Sequence, residues 1–502
     1  MTSEIYKKIG DNSMYNLIRR LVALPIGLVL PPITIQYLGV EGYGIWVLIQ
    51  TLITYTSLMD MGFSPAITKY TAEYDAHKDH FKIVRVFNTV LVVYIFLCLI
   101  VFVIVYLGKG LIINFLIGPT KIPKETISFV LIISSLVFCC NMVFSAYLSF
   151  LNGLQRMGIT NKIGSISSIS NCLFSIVFLC VGGGLKSLAF AGGISGILSA
   201  VMYLRACKKI APYLTFNPFL FRMKTIKEVW GFSSYGAMGN LVAMIHFQSD
   251  KLMISYFLGV SSLALYDVAH RLVFFVWGLS GSFITPIMPA ISHVHAKYGV
   301  EKSKEVFQTI FSYTALMVCP LFFFVPVFAD TLLLIWLGAG YENTISVLRI
   351  LSLAYLFNIL SGPGASVLTG MGFYKIPFYG GVITAVITLL LCPALIIKFG
   401  IFGSATGIMT AYGIGVFYLF LQLQKVFDSF STARIFYHSL LFPAGMSIAI
   451  FLVTNTFITY FVLNKYFAFT LASLSLFIAY GLILFKDGRY RAVWKSLAAL
   501  RL

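Results

Sequence analysis

Apolar runs of membrane-spanning length follow one another along almost the whole chain, broken by short polar or glycine-containing segments. About 20 consecutive apolar residues cross a hydrocarbon core as a helix. The runs predict fourteen such spans, at 15–38, 44–66, 86–107, 126–150, 163–182, 188–206, 231–255, 263–290, 306–328, 345–368, 377–397, 404–421, 436–458 and 466–485. The expected fold class is therefore an all-α integral membrane protein. The longest connections on the expected outer side, 108–125 and 329–345, are too short for a separate catalytic domain.

Composition agrees, with 59% hydrophobic residues, 11% charged residues and a mean hydropathy of +0.92. With the N-terminus inside, 27 of the 36 Lys and Arg fall in cytoplasmic segments, six in outer loops and three within spans. Cationic loops resist translocation, so both termini are expected in the cytoplasm and the chain in a bacterial cytoplasmic (inner) membrane. The net charge of +19 then reflects loops facing anionic lipid rather than nucleic acid. The first run is long, carries Pro25, Pro31 and Pro32 and shows no small-residue cleavage site, so it reads as a retained span. The eight cysteines lack CxxC spacing and fall mostly in mid-span, as buried small apolar residues do. His77, His80, His293 and His295 read as solvated loop residues, and no metal site or cofactor is expected.

The two halves resemble each other. Leu38-Gly39-Val40 returns as Leu258-Gly259-Val260 at an offset of 220, Leu151-Asn152-Gly153 as Leu368-Thr369-Gly370 at 217, and Gly184 with Ala189 as Gly400 with Ala405 at 216. Six spans per copy is an even number, so both copies start on the same side, as parallel repeats do. The expectation is two six-helix lobes, 1–207 and 231–421, related by a pseudo-twofold axis along the membrane normal. A basic, aromatic interfacial linker joins them at 208–230, and 422–502 adds two spans and a basic tail.

Ionisable side chains inside spans usually face a cavity or a partner, because a charge near the bilayer centre costs several kcal/mol. Here they are Asp60 in the second span, His246, Asp250 and Lys251 in the seventh, Asp267, His270 and Arg271 in the eighth and Arg349 in the tenth. Spacings of three and four put Asp267, His270 and Arg271 on one helical face. Each also has a plainer reading. Asp267 with Arg271 forms a structural ion pair, Asp250 neutralises Lys251, Asp60 caps a helix break, Arg349 snorkels to the surface, and Arg19 and Arg20 anchor the topology. Pro286, Pro289 and Pro363 are candidate hinges or passive kinks.

Several motifs together resemble the Wzx-type O-antigen and polysaccharide flippases of the MATE-like MOP superfamily. In the first half they are Tyr37-Leu38-Gly39-Val40-Glu41-Gly42-Tyr43-Gly44, Asp60-x-Gly62, Lys69-x-x-Ala72-Glu73 and Leu151-x-Gly153-x-Gln155-Arg156. In the second they are Asp250-Lys251-x-x-Ile254, Tyr266-x-x-Ala269-x-Arg271-Leu272, Pro286-x-x-Pro289 and Gly400-x-x-Gly403. The resemblance implies a flippase that moves a polyprenyl-pyrophosphate-linked oligosaccharide from the inner to the outer leaflet, with no catalytic residue. It implies Arg271 as a cavity cation for the pyrophosphate; the charges within the spans by themselves add His270, Lys251, Arg349, Arg20 and Arg19 as candidates for an anion-friendly cavity. Asp60, Asp250 and Asp267 become lobe-stabilising or coupling charges, with H+ or Na+ as the coupling ion. Implied partners are membrane lipids and the pathway's polymerase and glycosyltransferases. Two alternatives stay open: a MATE-like cation-coupled drug exporter, which would favour carboxylates over cations, and a membrane polymerase or ligase, which would carry a long catalytic outer loop.

Overall fold

The computed structural model describes residues 2–284 and 287–427, with isolated positions between 441 and 456; the side chains of 2–24, 232–237 and 282–283 are not described. The described residues form helices and connecting turns, with no strand. The helices are α1 (Thr2–Thr56), α2 (Phe63–Ala76), α3 (His80–Ile112), α4 (Lys124–Gly153), α5 (Met157–Cys180), α6 (Lys186–Ile210) and α7 (Met223–Leu258). They continue with α8 (Val260–Ile284), α9 (Ile287–Val327), α10 (Ala329–Leu337), α11 (Glu342–Gly370), α12 (Lys375–Phe399) and α13 (Ile401–Val426). Among the described residues, nine helices are long and apolar enough to cross a membrane. The chain is a multi-pass membrane protein. The spans expected at 436–458 and 466–485 lie, apart from those isolated positions, outside the described residues.

Helix α3 shows why these segments need lipid. Ile83, Phe87, Val90, Leu91, Tyr94, Cys98 and Val101 form its buried stripe at helical spacing. The opposite face is equally apolar yet exposed, with Phe96 62%, Leu99 60% and Leu107 75% accessible. A helix apolar all round is stable only where oil replaces water on its outer face. Its start is set by Asp79, whose carboxylate accepts the Lys82 backbone N–H at 3.1 Å and the Lys82 ammonium at 2.9 Å. The hydrogen bonds from Lys82 hold the Asp79 carboxyl below the usual carboxylate range.

The repeat is written into the backbone. Gly39 (φ 70°, ψ 173°) kinks α1, and Gly259 (φ 83°, ψ 170°) turns α7 into α8 with nearly the same dihedrals. Gly118 and Gly338 share φ 69° and 87° with ψ −153° and −162° at the same offset of 220. Gly184 and Gly400 pair likewise at φ 58° and 62°. These φ values are costly for any residue with a Cβ, so the recurring glycines mark recurring turns. Packing repeats as well. A Cβ on Gly153 would meet Thr71 Cβ at 2.6 Å and the Thr68 carbonyl at 2.8 Å; one on Gly370 would meet Ile291 Cγ2 at 2.7 Å and the Met288 carbonyl at 2.9 Å. Close approach of small residues is how helices associate in lipid, where burial of apolar surface supplies little drive.

By packing, the described residues form two compact units, 2–275 with 378–411 and 276–377 with 412–427. The repeat boundaries expected at 207 and 231 divide the sequence, whereas this grouping sorts contacts, and it puts α7 and the first part of α8 in the first unit. That unit's core joins Phe63, Phe87, Tyr94, Phe150 and Leu151 from α2, α3 and α4, with Phe87 edge-on to Tyr147 at 4.9 Å. In the second, Phe307 and Phe311 of α9 pack on Phe420 of α13 at 6.5 and 5.5 Å.

Three expectations change. The linker expected at 208–230 is helical at both ends and irregular mainly over 211–222. There the Asn88 side chain donates to the Thr215 carbonyl and accepts from the Asn217 N–H, leaving Phe219 92% exposed. His80 begins α3, and His293 and His295 lie on α9, rather than in loops. Cys140 and Cys180 are exposed, while the other six cysteines are buried.

Candidate substrate site

Helices α7 and α8 form a hairpin about Gly259. Lys251 lies eight residues before that turn and Asp267 eight after it, so both sit about 12 Å from it along their helices. Equal depth brings the two side chains face to face. Asp267 is fully buried: one carboxylate oxygen accepts the Lys251 ammonium at 2.7 Å, and the other accepts Arg271 Nε at 2.6 Å and the Tyr43 hydroxyl at 2.6 Å. Gly44 lets α1 reach this place, because a Cβ there would lie 1.9 Å from the Val260 carbonyl oxygen.

Two cations thus share one carboxylate, so the Lys251–Asp267–Arg271 group by itself carries one positive charge in excess. Its accessible expression is Arg271, whose side chain is 32% exposed against 10% for Lys251. The ion pair runs through Nε, so the fork of the two terminal amino groups is not consumed by Asp267. Such a fork matches the oxygens of a phosphate. Arg271 lies twelve residues, about 18 Å along the helix, from the Gly259 turn. Its guanidinium carbon is 6.0 Å from the centre of the Tyr43 ring.

One register step away, Asp250 accepts the Tyr266 hydroxyl at 2.5 Å through Oδ2. Its Oδ1 is buried and accepts no hydrogen bond among the described residues. Asp250 thus makes no direct ion pair with Lys251 among the described residues, which the adjacency of the two in sequence had implied. Neighbours in a helix point about 100° apart and do not face each other. His270 is buried in an aromatic column, 6.3 Å from the Tyr266 ring and 5.6 Å from Phe274.

The remaining expected residues lie elsewhere. Asp60 ends the short helical turn Ser57–Asp60 and accepts the Ser64 N–H at 3.2 Å, the Ser64 hydroxyl at 3.0 Å and the Tyr94 hydroxyl. It is a cap tied to α3. Arg349 belongs to the second unit, where it donates to Asp330 at 2.6 Å and to the Pro326 carbonyl at 3.1 Å. Arg19 and Arg20 lie on α1 with side chains outside the described set. Pro286 lies outside the described residues, Pro289 falls in the first turn of α9 and Pro363 is buried within α11. Tyr43 and Tyr266, the hydroxyl partners of the two buried carboxylates, were not expected as site residues. Their signal was present, since each follows a Leu-Gly-Val turn by a few residues.

Comparison with known proteins agrees with this architecture. The model of the family described as "Polysaccharide biosynthesis protein" matches residues 37–346. The chain is 24% identical over 409 residues to the "Putative O-antigen transporter" of Shigella flexneri, covering 79% of this chain and 93% of that protein. It is 23% identical over 330 residues to the "Teichuronic acid biosynthesis protein TuaB" of Bacillus subtilis, covering 64% and 62%. Among solved structures, "Lipid II flippase MurJ, inward closed conformation" superposes with a TM-score of 0.75 at 17% identity, covering 95% of this chain and 99% of that one. An inward-facing multidrug resistance MATE family transporter of the MOP superfamily gives 0.66 at 14% identity, covering 81% and 98%. With a family model matched over more than half its length, and the all-helical fold shared with MOP-superfamily transporters, the chain belongs to the polysaccharide biosynthesis protein family.

Proposed function

We propose that this protein is a flippase for a polyprenyl-pyrophosphate-linked oligosaccharide, the repeat unit of an O-antigen or similar surface polysaccharide, working in the cytoplasmic membrane. Sugar hydroxyls and pyrophosphate cannot cross hydrocarbon unaided, because each unpaired polar group costs several kcal/mol there. The reading rests on one observation: Lys251 and Arg271 converge on the single buried carboxylate of Asp267, and Arg271 keeps about a third of its side-chain surface open. That excess charge suits a pyrophosphate, with Asp267 and Tyr43 orienting the arginine. The names of the Shigella flexneri and MurJ relatives point the same way.

In this reading the headgroup moves from the inner to the outer leaflet while the two repeat lobes, related by an axis along the membrane normal, open alternately. Both termini face the cytoplasm. For a headgroup of about two negative charges, an inside-negative potential of 100 mV favours outward movement by roughly 4–5 kcal/mol. The potential therefore drives the cycle, alone or with a coupling ion, H+ or Na+, at a buried carboxylate such as Asp250. Arg349, Arg19, Arg20 and His270 are secondary candidates for headgroup contact, and Pro289 and Pro363 for hinges.

The test is complementation of a flippase-null strain. Arg271→Ala abolishes surface polysaccharide while membrane levels of the protein hold, and Arg271→Lys, which keeps the charge but loses the fork, rescues only weakly. Full activity of Arg271→Ala overturns the assignment.

A further inference from the structure

The first unit also holds a cavity of about 200 Å³ that the ion cluster does not explain. Four helices line it: α1 with Trp46 and Gln50, α4 with Ser134 and Asn141, α5 with Asn171, and α6 with Gly192 and Gly196. Among the described residues, no charged side chain lines it. Trp46 lies seven residues after Gly39, Ser134 ten after Lys124, Asn171 nine before Cys180 and Gly192 six after Lys186. Trp46 is thus about 10 Å from the α1 kink, and the others lie about 9–15 Å from a terminus of their helices, the N-terminus for α4 and α6 and the C-terminus for α5.

Polar side chains placed there need a reason. In a bundle surrounded by lipid, amides and hydroxyls normally close interhelical hydrogen bonds on one another. Here Gln50 and Asn141 border open space, while the Ser167 hydroxyl donates to the Ser195 carbonyl at 3.4 Å and Asn171 accepts from the Ser175 hydroxyl at 3.2 Å. The Ser134 hydroxyl, in a residue only 5% exposed, has no hydrogen-bond partner, and a buried hydroxyl left unpaired costs about 1–3 kcal/mol. Glycines on α6 keep the room open. A Cβ on Gly196 would enter the space beside Asn141 Oδ1 at 3.4 Å, and one on Gly192 would come within 3.9 Å of Val137 Cγ1.

From this we infer that the cavity is a carbohydrate subsite that takes one neutral pyranose ring. With no charged side chain among the described walls, the cavity offers no counter-charge to a phosphate or a cation. Amides that both donate and accept, together with hydroxyls, match a ring whose own hydroxyls do both. The indole of Trp46 provides a flat apolar wall for the C–H face of the sugar. Size sets the limit. Pockets for drug-sized ligands run about 300–1,000 Å³, so this cavity holds a single ring and the rest of a glycan stays outside it. The inference rests on the flippase reading and assigns a division of labour within it: Arg271 meets the phosphate and the neutral cavity meets a sugar.

The experiment is saturation-transfer difference NMR on the full chain in lipid nanodiscs, with the methyl glycosides of glucose, galactose, N-acetylglucosamine and rhamnose as probes. At least one glycoside receives saturation from the wild type. In the Gly192→Ala, Gly196→Ala double variant that transfer falls at least fivefold, because two methyl groups occupy the cavity at ordinary contact distances. Alanine also favours the helix over glycine, so the variant keeps its fold. Asn141→Leu, at an exposed position, gives the same loss by a second route, and Arg271→Ala retains the transfer. No saturation from any of the four glycosides, or undiminished saturation in the variants, overturns the inference. Lipid-linked oligosaccharide translocation in vesicles, measured in parallel, separates the two readings. Absent translocation with sugar binding intact sinks the flippase assignment alone, and intact translocation without sugar binding sinks the subsite alone.

Discussion

Asp267→Asn attacks the ion cluster at its one shared acceptor. The carboxylate is fully buried and holds Lys251 and Arg271 at 2.7 and 2.6 Å. Asparagine keeps the shape and can still accept from Tyr43, but it leaves two cations with no counter-charge between them. Removing one partner of a buried ion pair costs about 3–5 kcal/mol. Because Arg271 is about one-third exposed and can draw on water, the expected loss is at the lower end, about 3 kcal/mol. That is more than a hundredfold in the folded-to-unfolded ratio.

The assay is reversible unfolding of the purified chain in mixed micelles, since thermal scans of a large membrane protein report a rate rather than an equilibrium. A triple variant, Lys251→Met, Asp267→Leu and Arg271→Met, completes the design. Replacing a whole buried ionic group by apolar residues is often neutral or stabilising, so this variant regains stability while remaining inactive in complementation. If Asp267→Asn lies within about 1 kcal/mol of wild type, the carboxylate is not the counter-charge described. Transport by the triple variant refutes a role for Arg271 in headgroup binding.

Other substitutions probe the packing. Gly44→Ala puts a methyl 1.9 Å from the Val260 carbonyl oxygen, a backbone neighbour that cannot turn aside, so α1 and α8 separate at a cost of about 3 kcal/mol; an unfolding midpoint equal to wild type contradicts this. Gly153→Ala and Gly370→Ala occupy matching places in the repeat and each lose about 1–3 kcal/mol in the same assay, and a large loss at one with none at the other undermines their equivalence. Arg349→Ala breaks an exposed pair with Asp330 and shifts stability by less than about 1 kcal/mol, where a larger loss indicates a role beyond that pair. Asp79→Ala frays the first turn of α3, read as faster hydrogen exchange at the Lys82 amide. Because the Asp79 carboxyl is held below its usual range by Lys82, its capping contribution in the wild type is complete above about pH 4 and is lost as pH falls through the lower folded value. Exchange that shows no such acid dependence contradicts the cap.

Much of the site was legible, but its pairing was not. Asp250, Lys251, Asp267 and Arg271 stand out in the sequence because charges inside apolar spans are few. The Asp267–Arg271 pair followed from helical spacing, a local property. The Lys251–Asp267 pair did not, because it depends on where the α7–α8 hairpin turns. The neutral cavity left still less trace, since Gln, Asn and Ser scattered over four helices carry no periodic signal that separates them from interhelical packing.

What the amino-acid order determined by itself is the membrane-spanning character, the placement of the helices and the twofold repetition of the chain. These follow from hydrophobic length and from glycines such as Gly39 and Gly259 that alone tolerate the required dihedrals, and both are local effects. The tertiary structure decided which charge answers which, and where polar walls enclose open space. Electrostatics and cavities depend on distances between helices, and those are set only when small residues such as Gly44 and Gly153 let backbones from distant parts of the chain come within contact.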